Sequence, residues 1–179
     1  MTAPGGDGPG ATSDLGPLPG LVGLPDAELR GLVGRLRERS ETVATAESLT
    51  AGLVCAVLTA VPGASAVVRG GLVVYATDLK SELAGVDADL LDRHGAVFPE
   101  VAAQLAVGAR RRCGATWGLG LTGVAGPDPQ DGVGPGTVHV GLAGPSSVTV
   151  RTVTLGGDRQ AVRAGAVRAA LAALATALG

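Results

Sequence analysis

The sequence is short of aromatic residues, net charge and cysteine, and each shortage argues against a class of protein. Aromatic residues make up 2% of the 179 residues, so a hydrophobic core has to be built from Val, Leu and Ala. With a net charge of −2, the chain lacks the basic, aromatic-rich surface that is typical of nucleic-acid binders. The two cysteines, Cys55 and Cys113, form no C-x-x-C motif, which indicates buried thiols in a reducing cytoplasm.

The N-terminal segment lacks the basic start and long apolar run of a secretory signal. No apolar stretch reaches about 20 residues without helix breakers, so no membrane-spanning helix is expected. Residues 1–24 are rich in Gly, Pro, Ser and Thr and are predicted to be a flexible tail, followed by one domain over residues 25–179. We therefore expect a cytoplasmic protein with no nucleic-acid or membrane partner.

The alternation of apolar patterns predicts a single α/β domain. A helix capped by Asp26 is predicted to about Ser40, and a buried helix directly after Ser48 to about Val61. Strands are predicted over 42–46, 70–77, 116–121, 137–142 and 147–155, and further helices over 78–83, 87–93, 99–113 and 158–178. This order predicts a three-layer domain, a mixed β-sheet with helices on both faces.

Ser48 lies where a predicted strand meets a predicted helix. The first N–H groups of a helix and its dipole favour negative charge, so they could stabilise an oxyanion beside the serine hydroxyl. Serine is also a common helix N-cap, and Ser48 alone is compatible with that structural role.

Lys80 is the single lysine in a chain that uses arginine thirteen times. Because arginine keeps its proton whereas a desolvated lysine can release it, Lys80 is a candidate for proton transfer; chance retention in an arginine-rich sequence is the alternative. Tyr75, the single tyrosine, is a candidate to position a Ser48–Lys80 pair or to relay a proton. Its alternative role is that of a partly buried tyrosine with a solvated hydroxyl.

The glycine-rich segment 118–136 contains Gly118, Gly120 and Gly123 in a G-x-G-x-x-G pattern. A dinucleotide site requires a helix directly after this pattern, and the prolines that follow prevent one. The segment is therefore predicted to be a surface loop or an anion-binding loop. His94 and His139 are the only histidines, and no acidic cluster accompanies them, so we expect no metal site.

Six ordered stretches of the chain carry recognisable signatures. They are TVATAESLTAG (42–52), GGLVVYATDLK (70–80), HGAVFPEVA (94–102), LTGVAGPD (121–128), GTVHVGLA (136–143) and GGDRQAVR (156–163). Together they resemble the CinA C-terminal domain family of nicotinamide-nucleotide amidohydrolases, and the likeness extends from about residue 26 to the end of the chain.

The resemblance implies hydrolysis of the carboxamide of nicotinamide mononucleotide to nicotinate mononucleotide and ammonia, a step of pyridine-nucleotide salvage. It implies a Ser–Lys covalent mechanism without metal or cofactor, in which Ser48 is the nucleophile, Lys80 the general base and Tyr75 an assisting group. The substrate-binding residues that it implies are Thr50, Gly52, Thr122, Gly123 and Gly126, with Arg159 and Arg163 as further candidates for phosphate or subunit contacts. Members of the family form homo-oligomers, so a dimer or larger assembly is expected.

Three positions depart from the family pattern: Leu49, Ala51 where glycine is usual, and Phe98 where serine is usual. We expect Phe98 to remove a hydrogen bond or to fill part of the pocket. Two alternatives to the mononucleotide amidase remain open. One is a catalytically silent nucleotide-binding or regulatory module, and the other is an amidohydrolase that acts on a different amide.

Overall fold

The computed structural model describes residues 15–179, in which helices and strands alternate as predicted. The helices are α1 (Pro17–Leu21), α2 (Asp26–Glu38), α3 (Leu53–Thr59), α4 (Thr77–Glu82), α5 (Ala88–His94), α6 (Pro99–Arg112) and α7 (Arg159–Leu178), with a 3-10 turn at Ala64–Ala66. The strands are β1 (Val43–Glu47), β2 (Val68–Val73), β3 (Trp117–Gly123), β4 (Thr137–Ala143) and β5 (Val148–Thr154).

The five strands form one mixed sheet in the order β2-β1-β3-β4-β5. β1 lies between β2 and β3 and is parallel to both, whereas β4 is antiparallel to β3 and to β5. The carboxyl ends of β1, β2 and β3 therefore meet at one end of the sheet. The chain passes from β1 to β2 on one side of β1 and later forms β3 on the other side. The strand order therefore reverses at β1. Ligand crevices of open α/β sheets form at such a point.

Helices cover both faces of the sheet, which confirms the predicted three-layer α/β architecture. α6 packs across β3 and β4 on one face, with Ala46 and Leu105 in the same core cluster. α2, α3 and α7 pack on the other face, in a cluster that includes Leu119. Glycine allows α6 to approach closely, because a Cβ on Gly120 would lie 2.3 Å from the carbonyl oxygen of Ala102.

Residues 15–24, predicted as the end of a flexible tail, pack against the domain instead. Val22 and Leu24 are 1% and 7% exposed, and the carbonyl of Val22 accepts a 2.6 Å hydrogen bond from Arg168 on α7. The apolar side chains scattered among the glycines and prolines thus bury enough surface to order this segment. The rest of the predicted tail, residues 1–14, lies outside the described residues.

Two helices begin at other residues than the sequence predicts, α2 one residue earlier and α3 several residues later. Pro25 is the N-cap of α2, and the Asp26 carboxylate instead accepts a 3.3 Å hydrogen bond from the Leu15 N–H. α3 begins at Leu53 rather than directly after the serine, because Ala51 and Gly52 have φ values of 52° and 90°. Such left-handed φ values interrupt a right-handed helix.

α7 is the one helix within residues 15–179 that is long and apolar enough to cross a membrane by length and composition. The expectation that no apolar stretch reaches this length is therefore wrong. Half of its most apolar window is buried inside the fold, and its carboxylate cap at Asp158 accepts a 2.9 Å hydrogen bond from Ala161. α7 thus packs as the closing core helix of the domain.

Candidate active site

Ser48 directly follows β1, at the end of the sheet where the strand order reverses. Its N–H donates a 3.0 Å hydrogen bond to the Leu121 carbonyl of β3, and its carbonyl accepts one of 3.0 Å from Ala51, which closes a tight turn. The residue is 8% exposed and lines a pocket of about 290 Å³. The Ser48 hydroxyl has no hydrogen-bond partner among residues 15–179, so Oγ is available to a ligand.

The pocket brings together most of the residues that the sequence analysis singled out. Besides Ser48, it is lined by Tyr75, Thr122, Gly123, Gly126 and Arg159, together with the acidic Asp128. Thr50, Gly52 and Lys80 are not among its lining residues. The first group is therefore in a position to touch a ligand that occupies the pocket, whereas the second group lies outside its lining.

The N-terminus of α3 is occupied by Glu47, a residue that the sequence analysis missed. Its buried carboxylate accepts hydrogen bonds from the N–H groups of Val54 (3.0 Å) and Cys55 (2.9 Å) and from the Thr45 hydroxyl (2.9 Å). The N–H groups of Val54 and Cys55 are therefore not available to an oxyanion beside Ser48, and the expectation is wrong for these two groups. The sequence feature that could have identified Glu47 is its carboxylate, which lies at the end of a strand with no other charged residue.

Arg163 on α7 holds the turn that follows Ser48. Its Nε donates to the Leu49 carbonyl (3.0 Å) and its Nη2 to the Thr50 carbonyl (3.1 Å), while Nη1 donates to Gln160 (3.1 Å). This guanidinium is used to fix the backbone, so the expected phosphate contact does not fall to Arg163.

Three polar groups in the same turn are left without partners. Within residues 15–179, the N–H groups of Leu49 and Thr50 donate no hydrogen bond. The Thr50 hydroxyl is buried and also lacks a partner there. Because buried polar groups are usually paired in folded proteins, two unused backbone donors directly after Ser48 are a feature of a binding or reaction site.

Lys80 is 1% exposed, and its ammonium lies against the segment that follows β2. Nζ donates to the carbonyls of Val74 (2.9 Å), Tyr75 (3.1 Å) and Ala76 (3.4 Å). No hydrogen bond joins Nζ to the Ser48 hydroxyl, since the latter is unpaired throughout residues 15–179. The structure therefore places the expected base beside the pocket wall and not in direct contact with the expected nucleophile.

The environment of Lys80 favours its neutral form. Burial lowers the pKa of Lys80 to about 8, although the negative charges of Asp131 and Asp78 act in the opposite direction. A lysine with this pKa is partly neutral near physiological pH, as a general base has to be.

Arg159, in the first turn of α7, connects two parts of the pocket wall. Its Nη2 donates a 3.0 Å hydrogen bond to the Tyr75 hydroxyl, and its Nη1 donates a 2.9 Å bond to the Gly126 carbonyl. A guanidinium has more N–H donors than these two bonds use. Arg159 thus places a positive charge with unused donors at the pocket.

Another part of the pocket wall is built around Ala96. The Thr122 hydroxyl donates a 2.6 Å hydrogen bond to its carbonyl, and the Asp131 carboxylate accepts a 3.0 Å bond from its N–H. Asp131 and Gly132, with φ values of 51° and 74°, form the tip of a two-residue hairpin closed by Gln130 and Val133. Asp131 is a second residue that the sequence analysis missed, although an Asp-Gly pair is a common hairpin signal.

Phe98 does not take part in the pocket. It precedes α6 and stacks on His94, with ring centroids 4.3 Å apart and planes inclined by 14°, and it is not a lining residue. The expectation that Phe98 fills part of the pocket is therefore wrong.

The other histidine, His139, bonds to Thr152 through Nδ1 at 2.9 Å. Within residues 15–179, no group of three or more His, Cys, Asp or Glu side chains is arranged to hold a metal ion.

Fold and pocket together define the class of the protein: an open-sheet, three-layer α/β domain with a pocket at the reversal of strand order. The profile of the CinA C-terminal domain family matches residues 27–178. The chain belongs to this family, as the sequence signatures indicated.

Curated relatives of the chain are CinA-like proteins. That of Frankia casuarinae is 52% identical over 153 residues, which are 85% of this chain and 35% of the relative. That of Anaeromyxobacter dehalogenans is 49% identical over 158 residues, which are 87% of this chain and 37% of the relative. The chain thus spans about a third of the length of the curated relatives it matches.

Solved structures with the same fold come from the CinA superfamily. The competence or damage-inducible protein of Enterobacter asburiae matches with a TM-score of 0.82 and 30% identity, over 85% of this chain and 96% of that chain. A competence-damaged protein (CinA) superfamily protein of Enterobacter cloacae matches with a TM-score of 0.82 and 27% identity, over 100% and 99% of the two chains.

Proposed function

We propose that the protein hydrolyses the carboxamide of nicotinamide mononucleotide to nicotinate mononucleotide and ammonia, with Ser48 as the nucleophile. The observation that carries the proposal is the unpaired Ser48 hydroxyl in a pocket that also contains the cation of Arg159. A nucleophilic serine needs a sheltered hydroxyl that a substrate can reach. A guanidinium at the same pocket can bind the phosphate group of such a substrate through charge-assisted hydrogen bonds.

The reaction we propose has two covalent steps. Ser48 Oγ attacks the carboxamide carbon while its proton passes to neutral Lys80. The C–N bond then breaks, the leaving nitrogen takes up this proton, and ammonia departs, which leaves an ester on Ser48. Water hydrolyses the ester to the carboxylic acid and restores the serine. An acyl-enzyme divides one difficult amide hydrolysis into two easier steps.

Lys80 is the base in this proposal because its pKa of about 8 permits a neutral form. Neutral lysine has one N–H donor fewer than its ammonium, so it gives up one of the three carbonyl contacts. The bond to Ala76 is the longest of them, at 3.4 Å, and we expect it to be lost first. The freed lone pair then accepts the serine proton. Tyr75 assists by holding Nζ through its carbonyl at 3.1 Å.

The oxyanion of the tetrahedral intermediate requires fixed donors. We assign this role to the N–H groups of Leu49 and Thr50, which follow Ser48 and are unpaired within residues 15–179. Arg163 would keep both peptide groups in place through their carbonyls. Gly52 contributes by its left-handed φ of 90°, which lets the turn end before α3 begins.

The substrate's remaining groups would contact the wall formed by the end of β3 and the loop that follows it. Thr122, Gly123 and Gly126 line the pocket there, and Gly126 adopts a φ of 85° that favours glycine. We assign the phosphate to the unused N–H donors of Arg159. The reaction needs no metal and no cofactor. We propose a cytoplasmic location; the two cysteines, Cys55 and Cys113, are free thiols that are partly exposed and not buried as predicted.

An ammonia-release assay tests the proposal against its alternatives. The purified protein is incubated separately with nicotinamide mononucleotide, nicotinamide riboside and nicotinamide. We expect release from the mononucleotide and little from the two compounds that lack phosphate. A folded protein that binds the mononucleotide in calorimetry but releases no ammonia would instead be a nucleotide-binding module. Absence of both binding and release would favour an amidohydrolase for a different amide.

A further inference from the structure

We propose that the Asp128 carboxylate binds the positively charged pyridinium ring of the substrate and makes the pocket selective for the oxidised form of a nicotinamide mononucleotide. The inference rests on the proposed function, since it concerns the substrate of the same pocket. It is carried by the place of Asp128 in the pocket wall, by its unpaired carboxylate and by the opposite charge of Arg159.

The charged side chains of the pocket form one pair of opposite sign. Among residues 15–179, the lining residues with a charge are Asp128, in the loop after β3, and Arg159, at the start of α7. No hydrogen bond or ion pair joins the two side chains in this part of the chain, and Arg159 donates instead to Tyr75 and Gly126. A ligand with one anionic and one cationic group could therefore use both charges.

The Asp128 carboxylate is free to bind a ligand. Within the described residues it accepts no hydrogen bond and joins no ion pair. Asp131, three residues later, is used differently, because its carboxylate accepts the 3.0 Å hydrogen bond from the Ala96 N–H and so anchors the loop. An ionised carboxylate is an acceptor only. The partner that suits Asp128 is therefore a cation or a hydrogen-bond donor.

The chain around Asp128 limits where its carboxylate can go. The residue lies between Pro127 and Pro129. Each proline fixes its own φ, and Pro129 also restricts the backbone of Asp128 to extended conformations. Arg159 holds the preceding Gly126 carbonyl at 2.9 Å. Because a group held in this way loses little conformational freedom when it binds, more of its interaction with a ligand contributes to affinity.

Nicotinamide mononucleotide carries the two charges that this pocket complements. The proposed reaction places its carboxamide at Ser48, and we assign its phosphate to Arg159. The pyridinium ring lies between these two groups in the covalent structure and bears a positive charge at the nitrogen that joins the ribose. Among residues 15–179, Asp128 is the carboxylate that lines the same pocket. The ring is therefore the group of the substrate that Asp128 suits in charge.

The ribose hydroxyls are the other donors of the substrate that Asp128 could accept. A carboxylate in this pocket also repels the phosphate of the same ligand, a cost that a neutral acceptor avoids. Gln130 lines the pocket as well, and its amide group suits hydroxyls without adding charge. A full negative charge is favourable there when the ligand also brings a positive charge. The pyridinium interpretation thus accounts for the carboxylate, whereas the ribose interpretation does not.

Binding of two redox forms of the mononucleotide tests the inference. The reduced 1,4-dihydro form keeps the carboxamide, the ribose and the phosphate, but its ring is neutral. In the non-reacting Ser48→Ala variant, calorimetry should give a Kd about tenfold or more higher for the reduced form than for the oxidised form. Adding Asp128→Asn should bring the two Kd values to within about threefold of each other, since asparagine keeps the size and an acceptor oxygen but not the charge.

Two control variants show whether the effect belongs to Asp128. In the Ser48→Ala background, Asp92→Asn, at an exposed site on α5, should retain the preference for the oxidised form. Arg159→Ala should weaken the binding of both forms alike, because both carry the phosphate.

The outcomes that would overturn the inference are distinct from failure of the proposed function. Equal Kd values for the two forms in Ser48→Ala, an unchanged preference after Asp128→Asn, or binding of neither form would overturn it. Equal weakening of both forms by Asp128→Asn would also overturn it, in favour of a contact to the ribose. Ammonia release by the wild type tests the proposed function separately. A protein that prefers the oxidised form but releases no ammonia would refute the amidase and support the role of Asp128.

Discussion

Arg159 donates a 3.0 Å hydrogen bond to the hydroxyl of Tyr75, a residue 84 positions earlier in the chain. The same guanidinium bonds to Gly126 in the glycine-rich loop. A single cation therefore holds together the segment after β2, the loop after β3 and the first turn of α7. The pocket therefore forms only in the tertiary structure, and each of these three segments contributes one part of its wall.

Replacing Arg159 should weaken substrate binding. Arg159→Ala removes the cation that we assign to the phosphate, so KM for nicotinamide mononucleotide should rise by about ten- to a hundredfold, the range expected for hydrogen bonds to a charged group. Steady-state kinetics measures this change. Arg93→Ala, an exposed arginine on α5, is the control and should have the KM of the wild type. An unchanged KM in Arg159→Ala would contradict the assignment of Arg159 as the residue that binds the phosphate.

The activity should rise with pH as Lys80 loses its proton. Because the pKa of Lys80 is about 8 and the neutral form is the base, kcat/KM should rise with a midpoint near pH 8 and level off about one pH unit higher. The Asp131 carboxylate favours the charged form, so Asp131→Asn should lower this pKa and shift the rise in activity to lower pH. Asparagine keeps an oxygen that can accept the Ala96 N–H.

The pH profiles of Asp131→Asn and of the control Asp92→Asn are compared with that of the wild type. Asp92 lies on α5 and is not a source of the Lys80 shift. A midpoint that stays in place or moves to higher pH in Asp131→Asn would contradict Lys80 as the titrating base.

Glu47→Gln should destabilise the fold. The carboxylate accepts two buried hydrogen bonds and one that is partly buried. Glutamine would offer a single acceptor oxygen, and its NH2 group would face an N–H or O–H donor. The expected loss is about 2–3 kcal/mol in the free energy of unfolding, as for buried hydrogen bonds to a charged group. Urea denaturation measures it. Glu38→Gln at the exposed end of α2 is the control and should stay within about 0.5 kcal/mol of the wild type.

Ala51→Gly should stabilise the protein. Ala51 has a φ of 52°, and a non-glycine residue in this left-handed region costs about 1–2 kcal/mol. Glycine avoids that strain but loses about 0.5–1 kcal/mol of backbone entropy on folding. The net gain should be about 0.5–1 kcal/mol, visible as a higher Tm. Ala56→Gly inside α3 should lower the Tm, and a lower Tm for Ala51→Gly as well would contradict the account of this turn.

The sequence predicts the helices and strands of the three layers well, because each has a distinct hydrophobic periodicity or a distinct capping or turn residue at its end. Asp158 caps α7 as predicted, and the Gly144-Pro145 pair forms the predicted hairpin between β4 and β5. The nucleophile candidate was also recognisable, since Ser48 follows a short β-branched strand. These features depend on local sequence, so local reasoning finds them.

The remaining features depend on tertiary contacts. Ala51 is a good helix former, so its sequence context predicts a helix from Ser48 onward, whereas Arg163 holds the turn from a distant helix. Lys80 is recognisable as unusual, but its three carbonyl partners follow from the path of the chain after β2. The packing of Val22 under Arg168 joins residues 146 positions apart, which no local pattern contains.

The rate of ammonia release from nicotinamide mononucleotide by Ser48→Ala, compared with the wild type, tests the central claim most directly. Alanine removes only Oγ, which forms no hydrogen bond within residues 15–179, so the variant should fold normally and still bind the mononucleotide. Without a nucleophile, its kcat should fall by about a thousandfold or more. A folded Ser48→Ala variant that releases ammonia at the wild-type rate would contradict the proposed mechanism.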